Sequence, residues 1–307
     1  MRERTGYLAT GFAQSENAEI AEGTIISIIL IRHGATAGNA EKRYIGARTD
    51  EPLSEEGRRQ LTGLKTQRPE LSQCKEADGR RHGLNNSKID SSQCIQGLES
   101  DGQQLFALQL RRPDRLYASP MRRCLETADI LFDGQKVRTI ENFRETDFGA
   151  FEGKNYMELS RDPAYQAWID SNGEMAFPGG ESREEFIRRS VEGFREMVQD
   201  IERCIAQDTG RTHGGTESCA GDQRLQRVGG MPAFCAAAVV HGGTIMAVLQ
   251  RLFGGDYYSY HVGNGEGYAF SLERRDGRWV PRDLRRMTAC RVGQREQTEP
   301  DRKETEA

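Results

Sequence analysis

The chain lacks the closely spaced cysteines that build disulfide frameworks and zinc sites. Its cysteines are odd in number, and none belongs to a Cys-x-x-Cys pair. Because both kinds of site use matched, nearby cysteines, this pattern argues against either one. We therefore expect reduced thiols in a cytosolic protein. The cysteines are Cys74, Cys94, Cys124, Cys204, Cys219, Cys235 and Cys290.

An excess of charge of either sign is also absent. Lys and Arg together number 43, Asp and Glu together number 47, and the net charge is −4. Nucleic acids and anionic membranes attract strongly basic proteins, so the near balance of charge argues against both as partners.

Long apolar runs are missing as well. The strongest run, Thr24 to Ile31, is far too short for a bilayer, which takes about 20 residues. Residues 1–23 contain several glutamates and no continuous apolar segment, so they do not resemble a secretory signal. These absences predict a cytoplasmic protein. The hydrophobic content of 36% is low, so part of the chain is expected to lie outside the core.

Two apolar segments predict buried strands of a parallel sheet. Thr24 to Ile31 and Cys235 to Val240 are nearly continuously apolar, which is typical of strands covered on both faces. Arg32 and His33 follow the first segment, and His241 follows the second. Since open α/β sheets bind ligands at the carboxyl ends of their strands, we expect both histidines to face one pocket.

The remaining patterns predict helices and further strands around this sheet. Ser54 is expected to cap a helix that carries Leu61 and Leu64, and Ser182 to Glu185 form a capping box before a helix to about Ala206. The other predicted helices are Met121 to Phe132 and Thr244 to Phe253. The other predicted strands are Asp114 to Ala118, Lys136 to Ile140, and an antiparallel edge pair of Gly267 to Arg274 and Arg278 to Leu284.

Polar, aperiodic stretches divide the chain. Residues 69–102 and 207–230 are predicted to be flexible inserts in one domain that spans residues 24–290. Residues 1–23 are expected to be a disordered extension, and residues 291–307 a disordered charged tail. These segments account for the low hydrophobic content.

Six short motifs lie along the predicted domain. They are Arg32-His33-Gly34-x-Thr36-x-x-Asn39, Gly46-x-x-x-Asp50-x-Pro52-Leu53-Ser54-x-x-Gly57, Ser119-Pro120-Met121-Arg122-Arg123-Cys124-x-x-Thr127-Ala128, Phe143-Arg144-Glu145-x-Asp147-Phe148-Gly149-x-Phe151-Glu152-Gly153, Pro178-Gly179-Gly180-Glu181-Ser182 and His241-Gly242-Gly243. In this order they resemble the histidine phosphatase superfamily, the phosphoglycerate mutase-like enzymes. The resemblance implies an α/β fold, a three-layer α/β/α sandwich with a mostly parallel central sheet.

The resemblance implies that His33 is a nucleophile that forms a phosphohistidine intermediate. A neutral imidazole, with an ordinary pKa of about 6.5, can attack phosphorus at neutral pH, and the resemblance implies neither a metal nor another cofactor. Taken alone, His33 could simply cap the end of a strand. The five accompanying motifs favour the catalytic interpretation.

Two arginines are implied to bind the phosphoryl oxygens. The guanidinium groups of Arg32 and Arg123 are always charged and match phosphate in a bidentate way. Either residue could instead be an ordinary ion-pair partner at the surface. By its spacing from Ser119 in the family motif, the resemblance implies Arg123 rather than its neighbour Arg122, which is predicted to be a solvated helix residue.

The resemblance gives three more residues a place in the pocket. His241 would donate to the phosphoryl group, the backbone N–H of Gly242 would bind the anion at a helix start, and Asn39 would add a neutral hydrogen bond. Without the family context, His241 could be a core histidine with satisfied hydrogen bonds. Asn39 could equally be a turn residue.

Glu145 is implied to be the general acid that protonates the leaving group and then the base that activates water. A carboxyl group whose pKa is raised in a closed pocket suits both roles. Glu141, Asp147 and Glu152 are nearby candidates, and the family pattern Phe-Arg-Glu-x-x-x-Gly implies Glu145 among them. From composition alone, this region would be a solvated run of charges.

The segment around Glu145 favours hydrolysis, because the mutases carry Glu-Arg-His-Tyr-Gly there and this chain carries Arg144-Glu145-Thr146-Asp147-Phe148-Gly149. It resembles the bacterial branch of alpha-ribazole and broad-specificity phosphatases. We therefore expect a small phosphorylated metabolite as substrate, with alpha-ribazole 5'-phosphate of cobalamin biosynthesis as a candidate. The alternatives are a phosphoglycerate mutase-like or fructose-2,6-bisphosphatase-like enzyme and an inactive phospholigand-binding module. The sequence leaves the oligomeric state open.

A nucleotide-binding module is the remaining alternative for a sheet of this kind. Such a module needs a P-loop or a Gly-x-Gly-x-x-Gly turn after its first strand. Gly34-Ala35-Thr36-Ala37-Gly38 is neither, so the sequence argues against this function.

Overall fold

The computed structural model of the protein describes residues 20–66, 112–211 and 234–288. The predicted insert over residues 69–102 and the tail over residues 291–307 lie outside the described residues. Residues 20–23 belong to the predicted N-terminal extension, and here they form a turn in which the Gly23 N–H donates to the Arg274 carbonyl at 2.9 Å. The division of the chain into one domain and two tails stays a prediction.

A single six-stranded sheet organises the described residues. Its strand order is β3-β2-β4-β1-β5-β6. The first four strands in this order are parallel, β5 runs antiparallel to β1, and β6 runs antiparallel to β5. The strands are β1 (Ile25–Arg32), β2 (Arg115–Ala118), β3 (Val137–Thr139), β4 (Phe234–Val240), β5 (Gly267–Arg275) and β6 (Arg278–Met287).

The apolar character of β1 explains its central place. Its residues from Ile28 to Ile31 are almost wholly buried, and branched aliphatic side chains pack well on both faces of a pleated strand. The predicted edge pair is confirmed, since β5 and β6 form an antiparallel ladder at one end of the sheet.

Helices cover both faces of the sheet, which confirms the predicted three-layer α/β/α sandwich. Alternate residues of β1 point to opposite sides. Ile28 and Leu30 pack in one core with the long helix α6 and helix α7, and Ile29 and Ile31 pack in the other with α2 and α3. The helices are α1 (Ala37–Ala40), α2 (Glu55–Thr66), α3 (Arg122–Phe132), α4 (Tyr156–Leu159), α5 (Pro163–Asp170), α6 (Arg183–Arg211) and α7 (Gly242–Phe253).

The predicted helix caps are present. Ser54 Oγ accepts from the Gly57 N–H at 3.0 Å at the start of α2. At the start of α6, Ser182 Oγ accepts from the Glu185 N–H at 3.2 Å, and the Glu185 carboxylate accepts from the Ser182 N–H at 2.9 Å. This reciprocal pair is the capping box that the sequence predicts.

The end of α6 differs from the prediction. The helix continues to Arg211, whereas the sequence predicted an insert from Gln207. A helix can extend past its last buried residue, because its backbone hydrogen bonds need no apolar face. The rest of that predicted insert, residues 212–230, lies outside the described residues.

Aromatic side chains form a separate cluster among the segments between Phe148 and Phe177 and the loop that carries Tyr44. Phe151, Tyr165 and Phe177 are buried in it, and Tyr44 and Trp168 pack against them. Ring centroids in this cluster lie 4.8 to 6.3 Å apart, mostly in edge-to-face arrangements. The cluster fixes the segment that runs from the predicted acid to helix α6.

Candidate active site

His33 lies directly beyond the carboxyl end of β1, and one hydrogen bond sets its tautomer. Its Nδ1 lies 2.7 Å from the Gly34 carbonyl oxygen. Because a carbonyl oxygen only accepts, Nδ1 carries the hydrogen and Nε2 carries the free lone pair. The side chain is buried, and the backbone N–H donates to the Val240 carbonyl at 3.0 Å. Nε2 is thus the nitrogen of this histidine whose lone pair is free to react.

The surroundings of His33 keep its ring neutral. Burial lowers the pKa of His33 well below its usual value, and the positive charges of Arg123 and Arg32 lower it further. A histidine with a lowered pKa holds its lone pair at neutral pH. The charge state matches the one that a nucleophile needs.

The second predicted histidine, His241, follows β4 and meets His33 as expected. Strands β1 and β4 are parallel neighbours, and Arg32 is paired with Val240 in their register. The two imidazole rings lie 5.1 Å apart between centroids, at an interplanar angle of 67°. His241 is fully buried, and burial lowers its pKa well below the usual value, followed by the charge of Arg123.

Two side chains hold the ring of His241. Its Nε2 lies 2.8 Å from Ser119 Oγ, and its Nδ1 lies 3.7 Å from a carboxylate oxygen of Glu145. Ser119 also accepts from the Met121 N–H at 3.3 Å, which fixes the hydroxyl oxygen at the end of β2. These contacts orient the ring beside His33.

Both predicted arginines are brought to the histidines. Arg32 donates from Nη1 to the Val262 carbonyl at 2.7 Å, and Arg123 donates from Nη1 to the Thr49 carbonyl at 2.9 Å. The Nε atom of each is buried and has no hydrogen-bond partner among the described residues. Because a buried cationic N–H without a partner is costly, these atoms indicate a place for an anion.

The start of α7 approaches this arginine pair closely. A Cβ on Gly242 would lie 3.4 Å from Arg32 Nε, which is ordinary van der Waals contact, so the helix start lies near the guanidinium group of Arg32. Gly242 is the first residue of the helix, and a helix start favours negative charge. The predicted anion contact of its N–H remains a prediction.

Glu145 enters the site from the loop before α4. Burial raises the pKa of its carboxyl group, against the lowering effects of the Thr146 N–H and the nearby arginines. One of its oxygens accepts from the Thr146 N–H at 3.0 Å. Glu145 is therefore a carboxyl group with a raised pKa within reach of His241, as the sequence predicts for a general acid.

The three competing carboxylates are engaged elsewhere. Glu141 is exposed and paired with Arg144, and Asp147 is paired with Arg48 at 2.7 Å. Glu152 accepts from the Gly46 N–H at 2.9 Å.

Arg122 is also separate from the histidines. It is exposed and paired with Glu126 at 2.8 Å, which agrees with its interpretation as a solvated helix residue.

Asn39 lies next to the His33 loop, although its carboxamide oxygen is already used. That oxygen accepts from the Thr36 N–H at 3.2 Å and from Asn264 Nδ2 at 3.1 Å. The residue completes the capping box of α1. Its predicted hydrogen bond to phosphate remains a prediction, for which only its Nδ2 could serve as donor.

Two positioning residues were not singled out from the sequence. Thr127 Oγ1 accepts from the Gly34 N–H at 3.0 Å, and Asn264 Nδ2 donates to the His33 carbonyl at 3.1 Å. Thr127 stands in the Ser119 motif, so its position carried a signal. Asn264 belongs to none of the six motifs.

A mostly parallel α/β sheet with two neutral histidines, two arginines and a carboxyl group of raised pKa gathered near its strand ends has the make-up of a phosphoryl-transfer site. The model of the histidine phosphatase superfamily (branch 1) matches residues 28–71 and 86–206. The chain belongs to this superfamily, and it is an enzyme of the histidine phosphatase type. The sequence resemblance is thereby confirmed.

Solved structures show the same fold. The alpha-ribazole phosphatase from Shigella flexneri is 20% identical in sequence, with a TM-score of 0.50. The match covers 85% of this chain and 96% of the Shigella chain. A mycobacterial glucosyl-3-phosphoglycerate phosphatase is 21% identical, covers 87% of this chain and 100% of its own, and has a TM-score of 0.54. The comparison with curated proteins gives no match.

Within the described residues, none of the helices is both long and apolar enough to cross a membrane.

Proposed function

We propose that the enzyme hydrolyses a small phosphomonoester through a phosphohistidine on His33. The observation that carries this proposal is that Arg32 and Arg123, whose charges act on His33, each have a buried Nε–H group without a partner among the described residues. The phosphoryl group would lie between Arg32 and Arg123, and Nε2 would attack phosphorus. The P–O bond to the leaving group breaks as the P–N bond forms.

Glu145 and His241 would serve the two halves of this reaction. Glu145, whose pKa is raised by burial, would in its protonated form give a proton to the leaving oxygen. Its carboxylate would then take a proton from the water that attacks phosphohistidine, which releases phosphate and restores His33. His241, Asn39 and the Gly242 N–H would bind the phosphoryl oxygens as charge develops.

The first prediction is a phosphoenzyme on His33. Rapid mixing with substrate, followed by a quench without acid, should trap an acid-labile phosphoenzyme in the wild type and none in His33→Ala. The matched control is His261→Ala, because His261 is an exposed histidine of the same chain. Undiminished turnover in His33→Ala would contradict the mechanism.

The leaving group would pass Tyr257, which lies near Glu145, and Tyr258, which contacts Tyr257. Burial and the Glu145 carboxyl raise the pKa of Tyr257, and its hydroxyl donates to the Gly243 carbonyl at 3.4 Å. The ring of Tyr258 lies 5.2 Å from that of Tyr257 and is 57% exposed, with Arg183 5.9 Å from its centroid. An exposed aromatic face suits a planar ring, and this supports alpha-ribazole 5'-phosphate, a benzimidazole riboside, as the candidate substrate.

The second prediction concerns this substrate. The specificity constant for alpha-ribazole 5'-phosphate should exceed that for ribose 5-phosphate by about fivefold, because stacking contributes about 1 kcal/mol. Tyr258→Ala should remove most of this ratio and leave the constant for ribose 5-phosphate unchanged. The panel also includes fructose 2,6-bisphosphate and 3-phosphoglycerate. A preference of more than about tenfold for either would replace the alpha-ribazole assignment.

A further inference from the structure

The guanidinium group of Arg189, on helix α6, donates hydrogen bonds to the segment that carries Glu145. Nη1 donates to the carbonyls of Asn142 at 3.0 Å and Arg144 at 2.9 Å, and Nη2 donates to the Glu145 carbonyl at 3.2 Å. The Arg189 side chain therefore binds three backbone carbonyl oxygens in the segment around Glu145. The planar fork of arginine suits such a convergent set, and a lysine ammonium group does not.

Glu181 completes the arrangement from the other side of Glu145. Its carboxylate accepts two hydrogen bonds from Arg189, each at 2.8 Å, and also accepts from the Asp147 N–H at 3.0 Å. The Glu181 N–H donates to the Asp147 carbonyl at 2.9 Å. The backbone is thus held at Glu145 itself by Arg189 and at Asp147 by Glu181.

The position that these bonds fix is the one that matters for proton transfer. The Glu145 carboxylate lies 3.7 Å from His241 Nδ1, and it must meet the leaving oxygen at hydrogen-bond distance. A shift of about 1 Å in a catalytic group can lower the rate by about 10²-fold. The bidentate pair is largely shielded from water, since each side chain is only 22% exposed, which strengthens its hold on the loop.

The geometry points to Arg189 and Glu181 as a positioning pair that keeps Glu145 in place for proton transfer to the leaving group. This inference rests on the proposed function, in which Glu145 is the general acid. Neither residue touches the reacting atoms. Both act through the backbone of the loop between Asn142 and Asp147.

The test compares two leaving groups in single-turnover formation of the phosphoenzyme. Glycerol 2-phosphate releases a poor alkoxide that needs a proton, whereas 4-nitrophenyl phosphate releases a stable phenolate that does not. Arg189→Lys and Glu181→Gln should slow the reaction of glycerol 2-phosphate by about 10²-fold. They should leave the reaction of 4-nitrophenyl phosphate nearly unchanged.

Two reference variants make the result decisive. Glu145→Gln should show the same selective loss, and Arg188→Gln, an exposed neighbour on the same helix, should show none. If Glu145→Gln loses both substrates equally, the acid assignment of the proposed function fails and the positioning role with it. If Glu145→Gln slows only glycerol 2-phosphate, the acid assignment stands. In that case the positioning role alone is overturned if Arg189→Lys and Glu181→Gln slow both substrates equally or slow neither.

Discussion

At His33, one backbone carbonyl decides which nitrogen can react. The bond from Nδ1 to the Gly34 oxygen leaves the lone pair on Nε2, and burial keeps the ring neutral by lowering its pKa. Gly34 is itself held through its N–H by Thr127. The tautomer of the proposed nucleophile therefore depends on a short chain of hydrogen bonds through the Gly34 peptide groups.

A pH dependence follows from the raised pKa of Glu145. The first step needs the protonated carboxyl group, so the specificity constant should fall as the pH rises through this pKa. Glu145→Gln should lower the constant for glycerol 2-phosphate by about 10² to 10⁴-fold and remove this basic limb. The measurement is a pH profile of the specificity constant.

The phosphate group of the substrate also titrates, and the change that it causes in the pH profile should persist in Glu145→Gln. Asp147→Asn is the matched control, because Asp147 lies in the same loop as Glu145 but pairs with Arg48. It should keep the basic limb. An unchanged profile in Glu145→Gln would show that another group supplies the proton.

At the scale of elements, the loop that carries Glu145 is paired with the loop before α6. Gly149 has a φ of +54°, and a Cβ there would lie 2.2 Å from the Pro178 carbonyl oxygen. The Ala150 N–H donates to that same oxygen at 2.8 Å. The close approach of the two backbones requires glycine at this position.

Gly149→Ala should therefore destabilise the protein more than its conformation alone explains. The left-handed backbone costs about 1 to 2 kcal/mol, and the clash with a carbonyl oxygen adds to this. Gly153→Ala is the matched control, because Gly153 has a φ of +75° and open space around its would-be Cβ. Urea unfolding compares the two, and equal losses of free energy would show that the loops can separate.

The same scale shows what local patterns predict well. The capping serines at α2 and α6 and the apolar run of the buried strand β1 depend on neighbours within a few residues, so the sequence predicted them. The end of α6 was predicted five residues early. Polar residues after Ala206 look like a loop in sequence, but a long helix can continue into them without an apolar face.

At the scale of the whole molecule, the fold keeps two histidines buried and uncharged. Burial lowers the pKa of both His33 and His241 in the folded state, while the unfolded chain binds protons at the usual pKa. As the pH falls from about 7.5 to about 5.5, the unfolded state gains protons first, and folding stability is lost. Glu145 opposes this trend, because its raised pKa favours the folded state at lower pH.

A double variant isolates the contribution of the histidines. The quantity to compare is the free energy of unfolding of the wild type minus that of His33→Asn/His241→Asn. As the pH falls, this difference should decrease by at most about 1.4 kcal/mol for each histidine and each pH unit. Urea unfolding over this pH range measures it. A difference that does not vary with pH would mean that the two rings bind protons with the same pKa in the folded and unfolded protein.

The sequence by itself determined the sheet-forming segments, the helix caps, and the residues that meet at the strand ends. Periodicity and capping are local, and parallel strands bring their carboxyl ends to one edge. Only the tertiary structure decided the contacts that tune the site. Thr127 is hydrogen-bonded to Gly34, 93 residues away, and Asn264 to His33, 231 residues away. Arg189 donates to the backbone of the Glu145 loop. Such contacts, and the pKa shifts that follow from burial, arise from packing between distant segments, which no local pattern records.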